Sequence, residues 1–365
     1  MRMCDLMTLE DRASFYSSCD IIYLLERAIY SIDRRKIFYY FLPLLISCSH
    51  SDNTILVTNS GEAQGSYYHI KYMSSYGEDY HLQIDSILQE VDSSLSIYKN
   101  YSLISRLNSG QKLSVDYLFE SVFLGAQKVF LETGGNFDCS VSPLVNAWGF
   151  YNNSLRDSLI LDSLMVSSIL ENIGFQRIRI IEDSLVIPVK MSLDFNSIAQ
   201  GFTVDLIAEY LDNRGIDNYL IEVGGELLAK GRNDEDNIWR IGVDKPSEYI
   251  DSSKRFQFIL DLENKALATS GNYRKFHEKD GVKYSHVINP FTGFPAHNRL
   301  LSVTVIHDNC MLADAYATAF MVMGLKKTKE FVEQNTDIEI YLVYTSRGGD
   351  WKTYISPSML ERIIN

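Results

Sequence analysis

Six short runs with strand character crowd into the second half of the chain, at residues 219–223, 239–243, 256–262, 284–288, 301–307 and 338–344. Many of them follow one another with no helical stretch between. Parallel neighbours need a long crossover, usually a helix. This spacing therefore predicts a largely antiparallel or mixed sheet with helices packed around it. That is an α+β fold rather than a doubly wound parallel one.

The first half supplies the helices. "GSYYHIKY", residues 65–72, alternates like a strand. "HLQIDSILQEVDSSLSIY" carries apolar residues at helical spacing. A second helix is predicted over residues 117–133, ended by Gly134 and Gly135. "LDSLMVSSILENIGF" reads as a third, and "AQGFTVDLIAEYLDNRG" as a fourth with Gly215 as its stop. Short strands are expected at 178–181 and 191–194. Nothing after residue 65 looks like a linker, so residues 65–365 are read as one domain.

The N-terminal region reads differently. "RRKIFYYFLPLLISC" sets three basic residues before a ten-residue apolar run, 37–46, too short to span a bilayer as a helix. A basic flank with a short apolar core is the pattern of an export signal. The run ends in Leu45, Ile46, Ser47 and Cys48, which resembles a bacterial lipobox whose cysteine becomes lipidated. The competing reading is a buried helix of an N-terminal subdomain. The expectation is an exported, periplasm-facing bacterial membrane lipoprotein. Residues 1–48 would be an extension plus signal, and 49–64 a polar tether. Residues 1–33 precede the basic cluster, whereas signals open a chain; a start codon set too far upstream accounts for that. Of the five cysteines only Cys139 and Cys310 fall in the folded part, which is no disulfide framework. The net charge of −13 argues against nucleic acid as the main partner.

Four stretches depart from ordinary packing patterns. "CMLADAYATAFMVMG", residues 310–324, is an apolar helix closed by glycine, with Asp314 and Thr318 one turn apart on one face. Helix-dipole and back-bonding roles would explain the pair. So would a seat for Mg²⁺, which prefers hard oxygen ligands. In "SLDFNSIAQGFTVD" a strand runs into a helix, a junction that aims free N–H groups at an anion, unless Asn196 or Ser197 simply caps the helix. In "IEVGGELLAKG" paired glycines allow either close approach of a ligand or a tight turn. "ALATSGNY" and "YSHVINPFTGFPA" bring hydroxyls, and His286 beside a proline–glycine loop. Neither a Walker A sequence nor a dinucleotide-binding glycine fingerprint is present. The residues alone reach Mg²⁺-assisted chemistry on a phosphorylated small molecule.

Taken in order, "LSIYKNYSLISRLN", "GGNFDCSVSPLVNAWGF", "LDFNSIAQGFTVD", "YLIEVGGELLAKG", "ALATSGNY", "YSHVINPFTGFPA" and "MLADAYATAFMVMG" resemble the ApbE family, the FAD:protein FMN transferases, over about residues 65–344. The resemblance implies that FAD is the substrate. Its FMN part would pass to a Thr or Ser hydroxyl of an exported or membrane-bound electron-transfer flavoprotein, with AMP released. It implies Mg²⁺ held by Asp314, Thr318 and the carbonyl of Ala199. Flavin contacts would map onto Tyr98, Ala147, Trp148, Asn196, Phe202 and Ile288. His286 is the candidate to take the hydroxyl proton or orient the phosphate. Three departures stand out: Ala317 where some members carry a second Asp, Gln200 where many carry Lys, and Gln64 where Met is common. The alternatives are a FAD pyrophosphatase and a non-catalytic FAD-binding lipoprotein.

Overall fold

Eight strands taken in chain order build one sheet among the described residues: β1 (Ile55–Ala63), β2 (Ser66–Ser74), β3 (Tyr219–Val223), β4 (Glu226–Lys230), β5 (Lys265–Gly271), β6 (Leu300–His307), β7 (Glu339–Thr345) and β8 (Trp351–Ile355). Each pairs antiparallel with the next. The expected α+β, antiparallel core is thus present, and spatial order follows chain order. The chain divides into residues 1–53 and a unit Thr54–Asn365. The computed structural model describes residues 54–151, 161–244, 256–271, 276–279 and 282–364. The basic cluster, the apolar run and Cys48 lie outside the described residues.

Strand character and burial explain each other. In β6, Val303 and Val305 belong to the largest apolar cluster, while Ile306 belongs to another on the opposite face. In β7, Ile340 and Leu342 point one way, Tyr341 and Val343 the other. Both faces are covered, so these strands read as continuous apolar runs rather than alternating ones. A three-stranded sheet of Trp239–Asp244, Phe256–Leu262 and Ile363–Ile364 lies on one face.

Helices cover the other. α1 (His81–Leu95) and α3 (Ala199–Asp212) pack with β2 and β3. α2 (Tyr117–Glu132) and α4 (Cys310–Gln334) pack with β6 and β7. Asp116 caps α2, accepting from Phe119 N at 2.8 Å, and Ser94 of α1 donates to the same carboxylate oxygen at 2.8 Å.

Several sequence expectations need correction. Residues 55–63, assigned to the tether, form β1, an edge strand whose alternation is masked by polar residues. Residues 191–194 join no ladder among the described residues. The side chain of Asn108 takes both backbone groups of Leu193, at 2.8 Å each, in place of a strand partner. The strand expected at 284–288 is Val282–Ser285, so His286 lies just beyond its end. The helix expected to stop at Gly324 kinks there, at φ 75°, and continues to Gln334. Asn298 donates to the Met321 carbonyl at 2.6 Å, satisfying one of the groups the kink releases.

Candidate active site

The helix carrying Asp314 and the turn carrying Ala199 meet at Gly201. A Cβ there would lie 2.4 Å from the Cys310 carbonyl oxygen and 2.9 Å from Met311 Cα. Backbone touches backbone, which only glycine permits. The two helices then cap each other. Asp205 of α3 accepts from Cys310 N and Met311 N, both at 2.9 Å, and from Asn309 Nδ2 at 2.7 Å. Asp314 of α4 accepts from Gly201 N at 3.2 Å. Neither Asn196 nor Ser197 caps α3; its cap position is Ile198, which offers no side-chain hydrogen bond.

Asp314 is buried and Thr318 half-buried. Among the described residues, Thr318 makes no side-chain hydrogen bond, so the back-bond to the Asp314 carbonyl does not form. Burial pushes the Asp314 carboxyl up to about 7, against the opposing Gly201 hydrogen bond. A buried carboxylate whose partner is one backbone N–H is short of positive charge, and carboxylate, hydroxyl and carbonyl oxygens are the donors a hard cation takes. Among the described residues no three His, Cys, Asp or Glu side chains gather as a metal cluster. A cation here would rest on one carboxylate and neutral oxygens. Ala317, buried in the core, supplies none.

A second group of residues forms around the 287–296 loop. Asn289 closes it, accepting from Gly293 N at 2.8 Å and donating its own N–H to the Phe294 carbonyl at 2.9 Å. Trp148 donates its indole N–H to the Gly293 carbonyl at 2.8 Å. Ile288 is buried beside Leu144, with Trp148 against that cluster. Ala147 ends the short helix Ser142–Ala147 that leads into Trp148. His286 meets the ring of Phe150 edge to face at 6.5 Å.

Tyr151 links this group to the α3 junction. Its hydroxyl donates to Asp194 at 2.5 Å, and its ring meets Tyr98 edge to face at 6.3 Å. Asn196 donates to the Tyr98 hydroxyl at 3.4 Å. Burial raises the Asp194 carboxyl above the usual range, against the Tyr151 and Asn196 hydrogen bonds that lower it. Phe202 lies in the main core, which accounts for it without a ligand. Tyr151 and Asp194 were not among the residues singled out as ligand contacts. The signal for Tyr151 was its place right after "NAWGF".

The paired glycines form the tight turn between β3 and β4, with φ 69° at Gly224 and 116° at Gly225. A Cβ on Gly224 would fall 2.2 Å from the Gln200 amide nitrogen. Gln200 thus packs on the hairpin turn. Cys139 and Cys310 are buried free thiols whose pKa burial pushes up, which makes them inert.

Fold and site together define an α+β protein in which a buried carboxylate, Asp314, lies where two helix N-termini cap one another. Residues 64–342 match the ApbE family. The FAD:protein FMN transferase of Vibrio cholerae is 36% identical over 325 residues, 87% of this chain and 95% of that one. That of Escherichia coli K12 is 32% identical over 291 residues, 78% and 81% of the two chains. The solved flavin transferase ApbE from Vibrio cholerae superposes with a TM-score of 0.75 at 35% identity, covering 85% of this chain and 99% of that one. The apo flavinyl transferase ApbE of Pseudomonas stutzeri gives 0.76 at 31% identity, with 85% and 97% covered. The chain belongs to the ApbE family.

Proposed function

We propose that this chain transfers the FMN part of FAD to a Thr or Ser hydroxyl of a partner flavoprotein. The observation that carries the reading is the buried Asp314, capping the helix turn that presents the Ala199 carbonyl, with Thr318 one turn away. The relatives named FAD:protein FMN transferase support it. Asp314, Thr318 and the Ala199 carbonyl would hold Mg²⁺, which neutralises charge on the pyrophosphate when bound.

The chain's own groups do the rest. Trp148 and Ile288 form an aromatic and apolar wall for the isoalloxazine, while Tyr98 and Asn196 offer polar groups at its rim. The acceptor hydroxyl attacks the FMN-side phosphorus. The new P–O bond forms as the bond to the AMP phosphate breaks, and AMP leaves with that electron pair. His286 takes the hydroxyl proton. The acceptor is an exported or membrane-bound electron-transfer protein, met at a membrane to which a lipidated Cys48 tethers the enzyme. Among the described residues no helix is long and apolar enough to cross a membrane.

The test mixes the full chain with FAD, Mg²⁺ and a flavin-acceptor domain, and looks for a fluorescent acceptor band on a denaturing gel. The band is expected to vanish with EDTA and to fall at least a hundredfold with Asp314→Ala. FMN and AMP without a labelled acceptor would replace the transferase by a pyrophosphatase. Intact FAD, beside a working transferase, would leave a flavin-binding protein. Loss of palmitate labelling in Cys48→Ser cells checks the anchor.

A further inference from the structure

We propose that Gln64 is a positioning residue of the cation seat: its side-chain amide decides, through the Thr203 hydroxyl, whether the Ala199 carbonyl is available to a divalent cation. This rests on reading Ala199, Asp314 and Thr318 as that seat.

Gln64 and Gly65 are the two central residues of the β1–β2 turn, at φ 53° and 71°. Such a turn favours Asn or Gly at its first position, and a glutamine there carries a backbone cost of about 1 kcal/mol. Turn chemistry does not explain the residue, but its side chain does. Gln64 Nε2 donates to Thr203 Oγ1 at 2.7 Å, and Thr203 Oγ1 donates to the Ala199 carbonyl at 2.8 Å. Thr203 is fully buried.

A hydroxyl has one proton and two lone pairs. While the amide donates to it, that proton is committed to Ala199. The Ala199 carbonyl stands in the first turn of α3 and also receives the helical N–H four residues on. Its two lone pairs are then both engaged, so a cation must displace the hydroxyl. A buried hydroxyl that loses its acceptor costs about 1–3 kcal/mol.

The amide itself supplies a substitute. Gln64 Oε1 is buried with no hydrogen-bond partner among the described residues. Half a turn of the amide brings that oxygen to where Nε2 stands. Thr203 then donates to Gln64, and the lone pair on Ala199 is released to the cation. The unused acceptor, the strained turn position and the relay length all serve one exchange of hydrogen bonds.

The test titrates full-chain protein with Mn²⁺ and follows the free ion by electron paramagnetic resonance, with saturating FAD and no acceptor present. Asp314→Asn must abolish binding; if wild type and Asp314→Asn bind alike, the seat reading and this proposal fall together. Gln64→Leu is expected to weaken binding about tenfold, because the loaded state strands the Thr203 proton. In a Thr203→Val background the same change should have no effect. Gln64→Glu, an obligate acceptor, should bind Mn²⁺ at least as tightly as wild type, and it decides the matter if the Leu variant does not fold. A merely structural amide would weaken binding in both. With the seat intact, a Gln64→Leu affinity within twofold of wild type, an undiminished loss in the Thr203→Val background, or a tenfold loss in Gln64→Glu overturns the proposal.

Discussion

At Gly201 two opposing effects of a methyl group can be weighed. Gly to Ala inside a helix gains up to about 1 kcal/mol in propensity. The methyl, however, would overlap the Cys310 carbonyl at 2.4 Å, and backbone on the far side cannot swing away like a side chain. Overpacking of this kind costs about 1–3 kcal/mol. Sterics win, so Gly201→Ala should lower stability by about 2 kcal/mol in urea unfolding. It should also weaken Mn²⁺ binding at least tenfold, since the shift separates Asp314 from the Ala199 turn. Unchanged Mn²⁺ affinity would mean the seat does not depend on the crossing. At this scale the sequence was informative where spacing was local. Asp314 and Thr318 were readable because one turn of helix relates them. The Gln64–Thr203 contact joins residues 139 apart, and no local pattern records it.

The reciprocal capping of α3 and α4 belongs to the level of elements. Asp205 takes three donors on two oxygens, yet burial pushes its carboxyl up to about 6 from 3.8. The folded state therefore holds the proton more tightly than the unfolded one. Its contribution to stability is full below about pH 4 and is lost as pH rises through about 6. The shift corresponds to at most about 3 kcal/mol. Asp205→Asn leaves one acceptor facing three donors and should cost about 1–3 kcal/mol at pH 7.5. Because the variant cannot gain the proton, the gap to wild type should widen by pH 4.5. Denaturant unfolding at the two pH values checks this, and a constant gap would mean the proton is not linked to folding. Helices were legible here from caps and periodicity, but strands less so. β1 and β8 went unread, and residues 191–194 were over-read. A strand is completed by a partner elsewhere in the chain, and at 193 that partner is the side chain of Asn108 rather than a ladder.

For the whole molecule, the sheet separates two tasks. One face carries α1 to α4 and the proposed cation seat; the other carries the small sheet, closed by the C-terminal Ile363–Ile364 strand. Arg362 ties that closure to β7. Its guanidinium donates to both oxygens of Glu339 at 2.8 Å, and Glu339 is only 5% exposed. Removing one partner strands a buried charge, which costs about 3–5 kcal/mol, whereas replacing both by apolar groups of similar size is often neutral. Arg362→Met should therefore lower stability by about 3 kcal/mol or more in urea unfolding. Glu339→Leu combined with Arg362→Met should recover most of it. In each folded variant Mn²⁺ affinity should stay within twofold of wild type, because Glu339 is two residues from Tyr341 on the same side of β7, away from the helices. A loss of cation binding in the double variant, with stability restored, would show that the two faces are coupled through the sheet rather than insulated by it.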